Sequence, residues 1–263
     1  PVGYRPPFDL KPIQALAPGI DPGSISVPDL KPLGPRDASR PAPPPTTYRE
    51  RASFTVYVAD PAVPLRARIH HQAGKERDEP VAYLIIGRRG APLVDALVQP
   101  GETVEVAQKV PEAGAYALVV QGREGGGPWY DVSIPDQPYV VGGEKPVYFF
   151  RGVSRQYFRV PAGTASFKVR FATGGGTQQA RLQVWNPRDQ RVLDETLVAD
   201  KAASKTFEVP VAPEDRGRVW ALLVGRPEVV PAPYWSENYF VLLEGIPSYF
   251  SDRPDALLTP APR

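Results

Sequence analysis

Prolines and glycines interrupt this chain throughout, and they restrict it to short elements joined by turns. The sequence contains 34 prolines and 23 glycines among 263 residues. Proline lacks the N–H group that a helix interior requires, and glycine loses more conformational entropy than other residues when it is fixed in a regular element. The spacing therefore predicts many turns and few long helices.

From residue 49 onward, the segments between turns have the pattern of β-strands. Runs such as "ASFTVYVAD", "LRARIHHQ" and "AYALVVQG" are rich in β-branched and aromatic residues, and several alternate between apolar and polar positions. Turn sequences such as "GRRGAP" and "QPGE" separate them. Alternation with a period of two indicates strands with one buried and one solvated face, so the pattern predicts an all-β fold built from antiparallel strands.

The strand pattern occurs twice. The stretch "ETVEVAQKVPEAGAYALVVQG" in the first half corresponds to "KTFEVPVAPEDRGRVWALLVG" in the second, which places Tyr116 and Trp220 at matching core positions. The sequence predicts two tandem, duplicated antiparallel β-sandwich domains, Ig-like or jelly-roll-like, over residues 49–143 and 144–250. A tail of residues 251–263 follows them.

The segment before the sandwiches is a proline-rich arm. Residues 1–48 hold 13 of the 34 prolines, which favours an extended, polyproline-II-like conformation. Composition alone is also typical of a disordered linker. However, the arm carries many large apolar side chains that a spacer does not need, and they predict that it docks on a folded surface.

One phrase appears twice in this arm, as "FDLKPI" at 8–13 and "PDLKPL" at 28–33. Two similar phrases fit two similar docking surfaces, which duplicated sandwiches would supply in the same molecule or in a neighbouring one. The residues predicted to make these contacts are Phe8, Leu10, Lys11, Ile13, Leu30, Lys31 and Leu33. The leucines are expected to insert into apolar grooves and the lysines to pair with surface carboxylates. The leucines should contribute more, because exposed ion pairs add little stability. The tail repeats the apolar-then-proline ending in "DALLTP", so it is a second candidate for docking.

The stretch "GAYALVVQG" resembles the end of the bacterial pre-peptidase C-terminal β-sandwich, in which a Gly-x-Tyr-x-Leu-x-Val strand follows an extended polar strand. The second half, from "YFRVPAGTASFKVRF" to "VWALLVG", is similar to non-catalytic β-sandwich modules of exported bacterial polysaccharide-degrading enzymes. Its turn at 186–189 reads "NPRD" and lacks the glycine of those modules. The resemblance implies an exported, non-catalytic role in adhesion, binding or assembly, and it assigns no catalytic residue.

The side chains that usually perform catalysis are scarce. The chain has no cysteine, and His70 and His71 are its only histidines. Adjacent strand residues point to opposite faces, so this pair cannot hold one ion between both rings. "GVSRQ" at 152–156 is not a Gly-x-Ser-x-Gly nucleophile motif, and the glycine runs lack the lysine of a phosphate-binding loop. We therefore expect no enzyme activity and no cofactor.

Acidic loop residues leave one metal hypothesis open. The turns "PDQP" at 135–138 and "NPRD" at 186–189 carry the carboxylates and carbonyls that calcium prefers, so loop calcium is retained as a weak alternative. Elsewhere the carboxylates form no recognisable catalytic pair. The charges, 31 basic and 29 acidic, are spread along the chain, which is unlike a nucleic-acid-binding patch.

Exposed aromatic rings suggest a second function. Trp129, Trp185 and Trp235 lie in or beside predicted loops, where indole rings stack on sugars or anchor a protein partner. The primary hypothesis is thus a non-catalytic structural or assembly subunit whose arm docks on sandwich surfaces in a filament or larger complex. The alternative is a carbohydrate-binding accessory module of a polysaccharide-degrading enzyme.

Composition also bears on location. The chain has no cysteine and no methionine, which fits an exported bacterial protein whose signal peptide has been removed. It contains no apolar run near the length of a transmembrane helix. The expected location is the periplasm, the cell surface or the extracellular space, with proteins, including copies of this chain, or a polysaccharide as partners.

Overall fold

The computed structural model describes most of the chain. The described residues are 19–35, 37, 39, 43–73, 79–124, 127–151, 153–174, 178–199, 204–228 and 236–260. Strands dominate them, and the helical elements among them are three short 3-10 turns, none of which is long and apolar enough to cross a membrane.

Ten strands lie in the described residues of the arm and the first half. They are β1 (Leu30–Pro32), β2 (Thr46–Arg49), β3 (Arg51–Val58), β4 (Leu65–His71), β5 (Val81–Gly87), β6 (Pro92–Val98), β7 (Thr103–Gln108), β8 (Gly114–Gln121), β9 (Trp129–Ser133) and β10 (Tyr139–Gly142). β2 begins inside the range 1–48 predicted as the arm, so the end of that range belongs to the sandwich.

Ten more strands lie in the part of the second half that the structure describes. They are β11 (Val147–Phe150), β12 (Gln156–Arg159), β13 (Ser166–Thr173), β14 (Gln178–Trp185), β15 (Arg191–Ala199), β16 (Ser204–Pro210), β17 (Val219–Gly225), β18 (Asn238–Glu244), β19 (Tyr249–Phe250) and β20 (Leu258–Pro260). β20 lies in the predicted tail. The predicted boundary near residue 143 falls between β10 and β11.

Each half has the strand order of a jelly roll. In the first half, β2-β9-β4-β7 form one layer and β3-β8-β5-β6 form the other. In the second half, β11-β18-β13-β16 and β12-β17-β14-β15 repeat this order. All of these pairings are antiparallel, which confirms the predicted all-β class. Of the two topologies expected, the structure has the double-sheet jelly roll.

An irregularity in the strand pairing also occurs at the same place in both halves. Between β5 and β6 the register shifts at Ile85/Ile86, and between β14 and β15 it shifts at Val184/Trp185. Bulges of this kind bend a strand and increase its twist. The shared strand order and the shared bulge fit the predicted duplication, whose evolutionary origin stays a prediction.

The two jelly rolls are joined through their sheets. β2 pairs with β11, so that one eight-stranded sheet runs through both halves. In the other layer β10 pairs with β19, and Ser251, which follows β19, exchanges two backbone hydrogen bonds with Tyr157 of β12, at 2.7 and 2.9 Å. We call this second layer, from β6 to β15, the composite sheet. Both layers of the sandwich therefore cross the boundary between the halves.

The junction has approximate two-fold symmetry. Tyr48 of β2 lies opposite Tyr130 of β9, and Phe149 of β11 lies opposite Tyr239 of β18, so Tyr48 and Phe149 hold equivalent positions. These two residues are paired with each other across the boundary. When equivalent antiparallel strands pair in this way, each half presents the same surface to the other, as in a symmetric dimer interface.

Aromatic rings fill the space between the two layers at this junction. The ring of Tyr48 lies 5.9 Å from that of Phe149, and Phe149 in turn lies 6.3 Å from Phe250 of β19, edge to face. Phe158 of β12 lies 6.2 Å from Phe250. These side chains are buried in a single main core that contains residues of both halves. Edge-to-face aromatic pairs add stability beyond the area that they bury.

Replacing Phe149 tests whether the halves unfold together. The change Phe149→Ala removes a fully buried ring, so we expect it to lower the free energy of unfolding by about 3–5 kcal/mol. Because both layers cross the boundary, urea denaturation followed by far-UV and near-UV circular dichroism should give one transition, shifted to lower urea. The control Val198→Ala removes an exposed side chain and should change stability by less than about 0.5 kcal/mol. Two separate transitions would contradict a shared core.

Candidate functional site

The described part of the arm lies on the outer face of the composite sheet. Ile20 is buried against Leu84 and Ile86 of β5 and against Val119 of β8, and Ile25 and Val27 of the arm pack at the same cluster. The arm thus shields an apolar surface that the main core does not reach.

The sequences of the covered strands explain why a cover is needed. β5 reads "VAYLIIG", and its first six residues are buried without alternation. In β4, by contrast, Leu65, Ala67 and Ile69 are buried while Arg66 and Arg68 between them are exposed. A continuous apolar strand needs a layer on both faces. The arm supplies the second layer for β5.

The second copy of the repeated phrase packs and pairs with the C-terminal tail. Leu30 is 2% exposed and packs with Val140, Leu257 and Leu258. β1 pairs antiparallel with β20, with Lys31 opposite Thr259. The N–H of Leu33 donates to the carbonyl of Leu257 at 2.9 Å, which extends the pairing by one more bond. The arm and the tail therefore cover the junction together.

Polar contacts fix the two ends of this docked segment. The carboxylate of Asp29 forms an ion pair with Arg88. Farther along, Arg253 donates to the carbonyl of Asp37 and to Asp255 Oδ2, both at 2.8 Å. The N–H of Asp37 donates to the same Asp255 oxygen at 2.9 Å. Burial raises the pKa of Asp255, but hydrogen bonds from Arg253 and Asp37 outweigh it and the net pKa is lowered.

The structure places the predicted docking residues as follows. Leu30 is buried, Leu33 is half-buried and Lys31 is exposed. We expected Lys31 to pair with a carboxylate, whereas the observed ion pair joins Asp29 of the same phrase to Arg88. Tail docking, expected from "DALLTP", is observed as β20. The predictions for Phe8, Leu10, Lys11, Ile13 and Trp235 lie outside the described residues.

The equivalent outer face in the second half is polar. Where β5 has Ala82, Leu84 and Ile86, the matching positions of β14 hold Arg181, Gln183 and Trp185. This polarity follows from alternation in "ARLQVW", in which Leu182 and Val184 point into the core.

A dense ion-pair network occupies this polar face. Arg181 contacts Asp194 through two nitrogens, at 2.6 and 2.7 Å, and Arg191 contacts the same carboxylate at 2.9 Å. The hydrogen bonds from Arg181 hold the pKa of Asp194 below its ordinary value. Bidentate arginine–carboxylate pairs fix both groups in a plane. The face therefore presents ordered polar groups beside Trp185.

Trp129 and Trp185 are both half-buried, and they differ in what lies against the ring. Trp185 is half-buried, with the Arg155 guanidinium 4.2 Å from its ring centre, and Arg155 is in turn bonded to Asp189. Trp129 stacks on Phe150 with ring centres 4.5 Å apart. The ring of Trp129 is thus engaged within the fold, and among the described tryptophans Trp185 is the better placed for an external contact.

Among the described residues there is no group of three or more His, Asp or Glu side chains positioned for a metal ion. Of the proposed calcium turns, Asp136 faces Arg66 at 3.7 Å and Asp189 contacts Arg155 at 2.6 Å. His71 is buried with Nε2 2.9 Å from the carbonyl of Glu79, whereas His70 contacts Thr103. Loop calcium stays a prediction.

A groove lies beside β20 on the outer face of the composite sheet. Its volume is about 270 Å³, and it lies on the second-half side of the β1–β20 pair. The lining residues are Arg159, Pro161, Ala162, Pro247, Tyr249, Leu258, Thr259 and Pro260. Sequence reasoning missed this groove, because it depends on where the tail folds back. The only sequence signal was the Leu-x-Pro spacing that β20 shares with β1.

Comparison with known proteins identifies no family. No protein-family model matches the chain, and no curated protein matches it in sequence. Among solved structures, N-glycanase F is similar over 82% of this chain and 96% of its own, with 10% identity and a TM-score of 0.26. The CBM22-1–CBM22-2 tandem domain of Paenibacillus barcinonensis Xyn10C is similar over 77% and 78%, with 10% identity and a TM-score of 0.23. Similarity at this level carries no functional argument, and the resemblance to pre-peptidase C-terminal modules stays a prediction.

Paired substitutions in the second phrase measure what anchors the arm. The change Leu30→Ala should lower the free energy of unfolding by about 2–5 kcal/mol, because it opens a cavity between arm and tail. The change Lys31→Ala removes an exposed side chain and should cost less than about 0.5 kcal/mol. Urea denaturation of both variants provides the measurement. Equal losses would show that burial of Leu30 is not what holds the arm.

Proposed function

We propose that this protein is a non-catalytic, exported structural subunit that uses its proline-rich arm to join β-sandwich surfaces. The observation that carries the proposal is the docked phrase at 28–33, with Leu30 buried and β1 paired to β20. Extended segments that add to strands are a common way for proteins to recognise one another. The shared core and the continuous sheets provide a single scaffold on which such contacts are made.

The repetition of the phrase extends this argument from one molecule to several. The second copy holds the arm on its own sandwich. The first copy, at 8–13, is therefore attached to the fold at a known point. The first phrase lies six to eleven residues before Gly19, a distance of about 19–34 Å in a polyproline-II conformation. That reach is sufficient for a contact with a neighbouring subunit.

The assembly proposal predicts self-association that depends on the first phrase. Light scattering of the full chain should show a mass that rises with concentration. Leu10→Asp should return the protein to a monomer, because it would place a charge where the proposal buries a leucine. Lys11→Ala is the matched control and should leave association unchanged within about twofold. A full-length chain that stays monomeric at every concentration would contradict the proposal.

A second candidate function, binding to a polysaccharide, rests on the polar outer face of the second half. Trp185 offers an indole ring, and Arg181, Gln183 and Asp194 offer fixed hydrogen-bonding groups next to it. Sugars are recognised by this combination of an apolar ring and planar polar groups. The equivalent apolar face of the first half is covered by the arm.

Binding to insoluble polysaccharides tests this candidate. Co-sedimentation with cellulose, xylan and chitin should retain the protein, and Trp185→Ala should reduce retention at least tenfold, since stacking and ordered polar contacts act together. Lys168→Ala, on the exposed face of the eight-stranded sheet, is the control and should bind normally. Equal retention of the Trp185→Ala and control proteins would rule out this face.

A further inference from the structure

The groove beside β20 has the features needed to accept a third strand of the same type. β1 and β20 form a two-stranded sheet, and both carry Leu-x-Pro, as Leu30-Lys31-Pro32 and Leu258-Thr259-Pro260. The groove borders β20, on the side where the described residues place no further strand. An unpaired edge with an apolar floor is a site for strand addition.

We propose that this groove is the docking site for residues 8–13 of a second copy of the chain. The inference rests on the proposed assembly function and names the surface that receives the arm. We identify the occupant by its sequence. "FDLKPI" repeats the phrase that contains β1, and β1 already pairs with the other edge of β20.

The groove matches the contacts that the second phrase makes. At 28–33, Asp29 pairs with an arginine, Leu30 is buried and Lys31 points to solvent. The groove offers Arg159 for Asp9. The half-buried Pro161, Pro247 and Tyr249 offer apolar surface for Leu10 and Ile13. Lys11, like Lys31, is then left in solvent.

The path of the arm favours a neighbouring copy over the chain's own first phrase. From Ile20 over β5 and β8, the described arm runs toward the junction, where Leu30 packs on Val140 of β10. Traced backward, the chain leaves Gly19 on the far side of β1 from the groove. To enter its own groove, it would have to reverse and cross both β1 and β20. A second molecule needs no such crossing.

Crosslinking between two singly substituted full-length proteins tests the proposal directly. The chain has no cysteine, so Lys11→Cys in one protein and Ala162→Cys in the other provide unique thiols. Mixed and treated with a short bismaleimide, they should give a crosslinked heterodimer in high yield. Val63→Cys, an exposed position outside the groove, replaces Ala162→Cys in the control and should give at least tenfold less.

A charge exchange adds a second readout. Asp9→Lys and Arg159→Glu should each weaken self-association at least fivefold, and the protein carrying both should recover most of it. Additive losses in the double variant would overturn the pairing of these two residues. Thermal melting of each variant verifies that the fold is retained.

The outcomes separate this inference from the assembly proposal. If Leu10→Asp abolishes association but the groove position does not crosslink, assembly stands and the groove assignment is wrong. If a protein carrying both Lys11→Cys and Ala162→Cys crosslinks only within one chain, the occupant is the chain's own arm and the second copy is wrong. If the full chain never associates, both proposals fall.

Discussion

The pairing of β2 with β11 is the interaction on which the rest of the structure depends. Two jelly rolls with separate sheets would form two independent cores, whereas the contact between Tyr48 and Phe149 makes one eight-stranded sheet and one main core. Equivalent residues meet there, so each half supplies the surface that the other requires. β10 and β19 then close the opposite layer, and the arm and tail cover its outer side.

The two halves share topology but differ in the polarity of their outer faces. In the first half, the apolar side chains of Leu84 and Ile86 on the outer face must be shielded from water, and Ile20 packs over them. The corresponding Gln183 and Trp185 in the second half are compatible with water and with polar ligands. Two halves of the same topology thus share an interior constrained by packing while their outer faces differ. In this protein one outer face is covered by the arm, and the other presents polar groups beside Trp185.

The sequence predicted the features that depend on neighbouring residues. It did not predict the contacts between segments that are far apart in the chain. The alternation of apolar and polar residues in β4 and β13, together with the turns formed at proline and glycine, was sufficient to predict the all-β class. Leu30 of "PDLKPL" is buried in the structure, as a large apolar residue in an extended arm requires, and its part in docking a partner stays a prediction. The ion pair of Asp29 with Arg88 was not found, since its partner lies on another strand, and neither was the groove at Arg159, whose walls come from separate parts of the chain.

By itself the sequence determined the strands, their repetition in two halves and the docking tendency of the arm, because periodicity, turn chemistry and apolar content act over a few residues. Only the tertiary structure decided that the halves share their sheets, that the tail folds back to pair with β1, and which outer face the arm covers. Those outcomes depend on shape and edge complementarity between residues far apart in the chain, such as Leu30 and Leu258. Local patterns carry no information about which edge a strand will join.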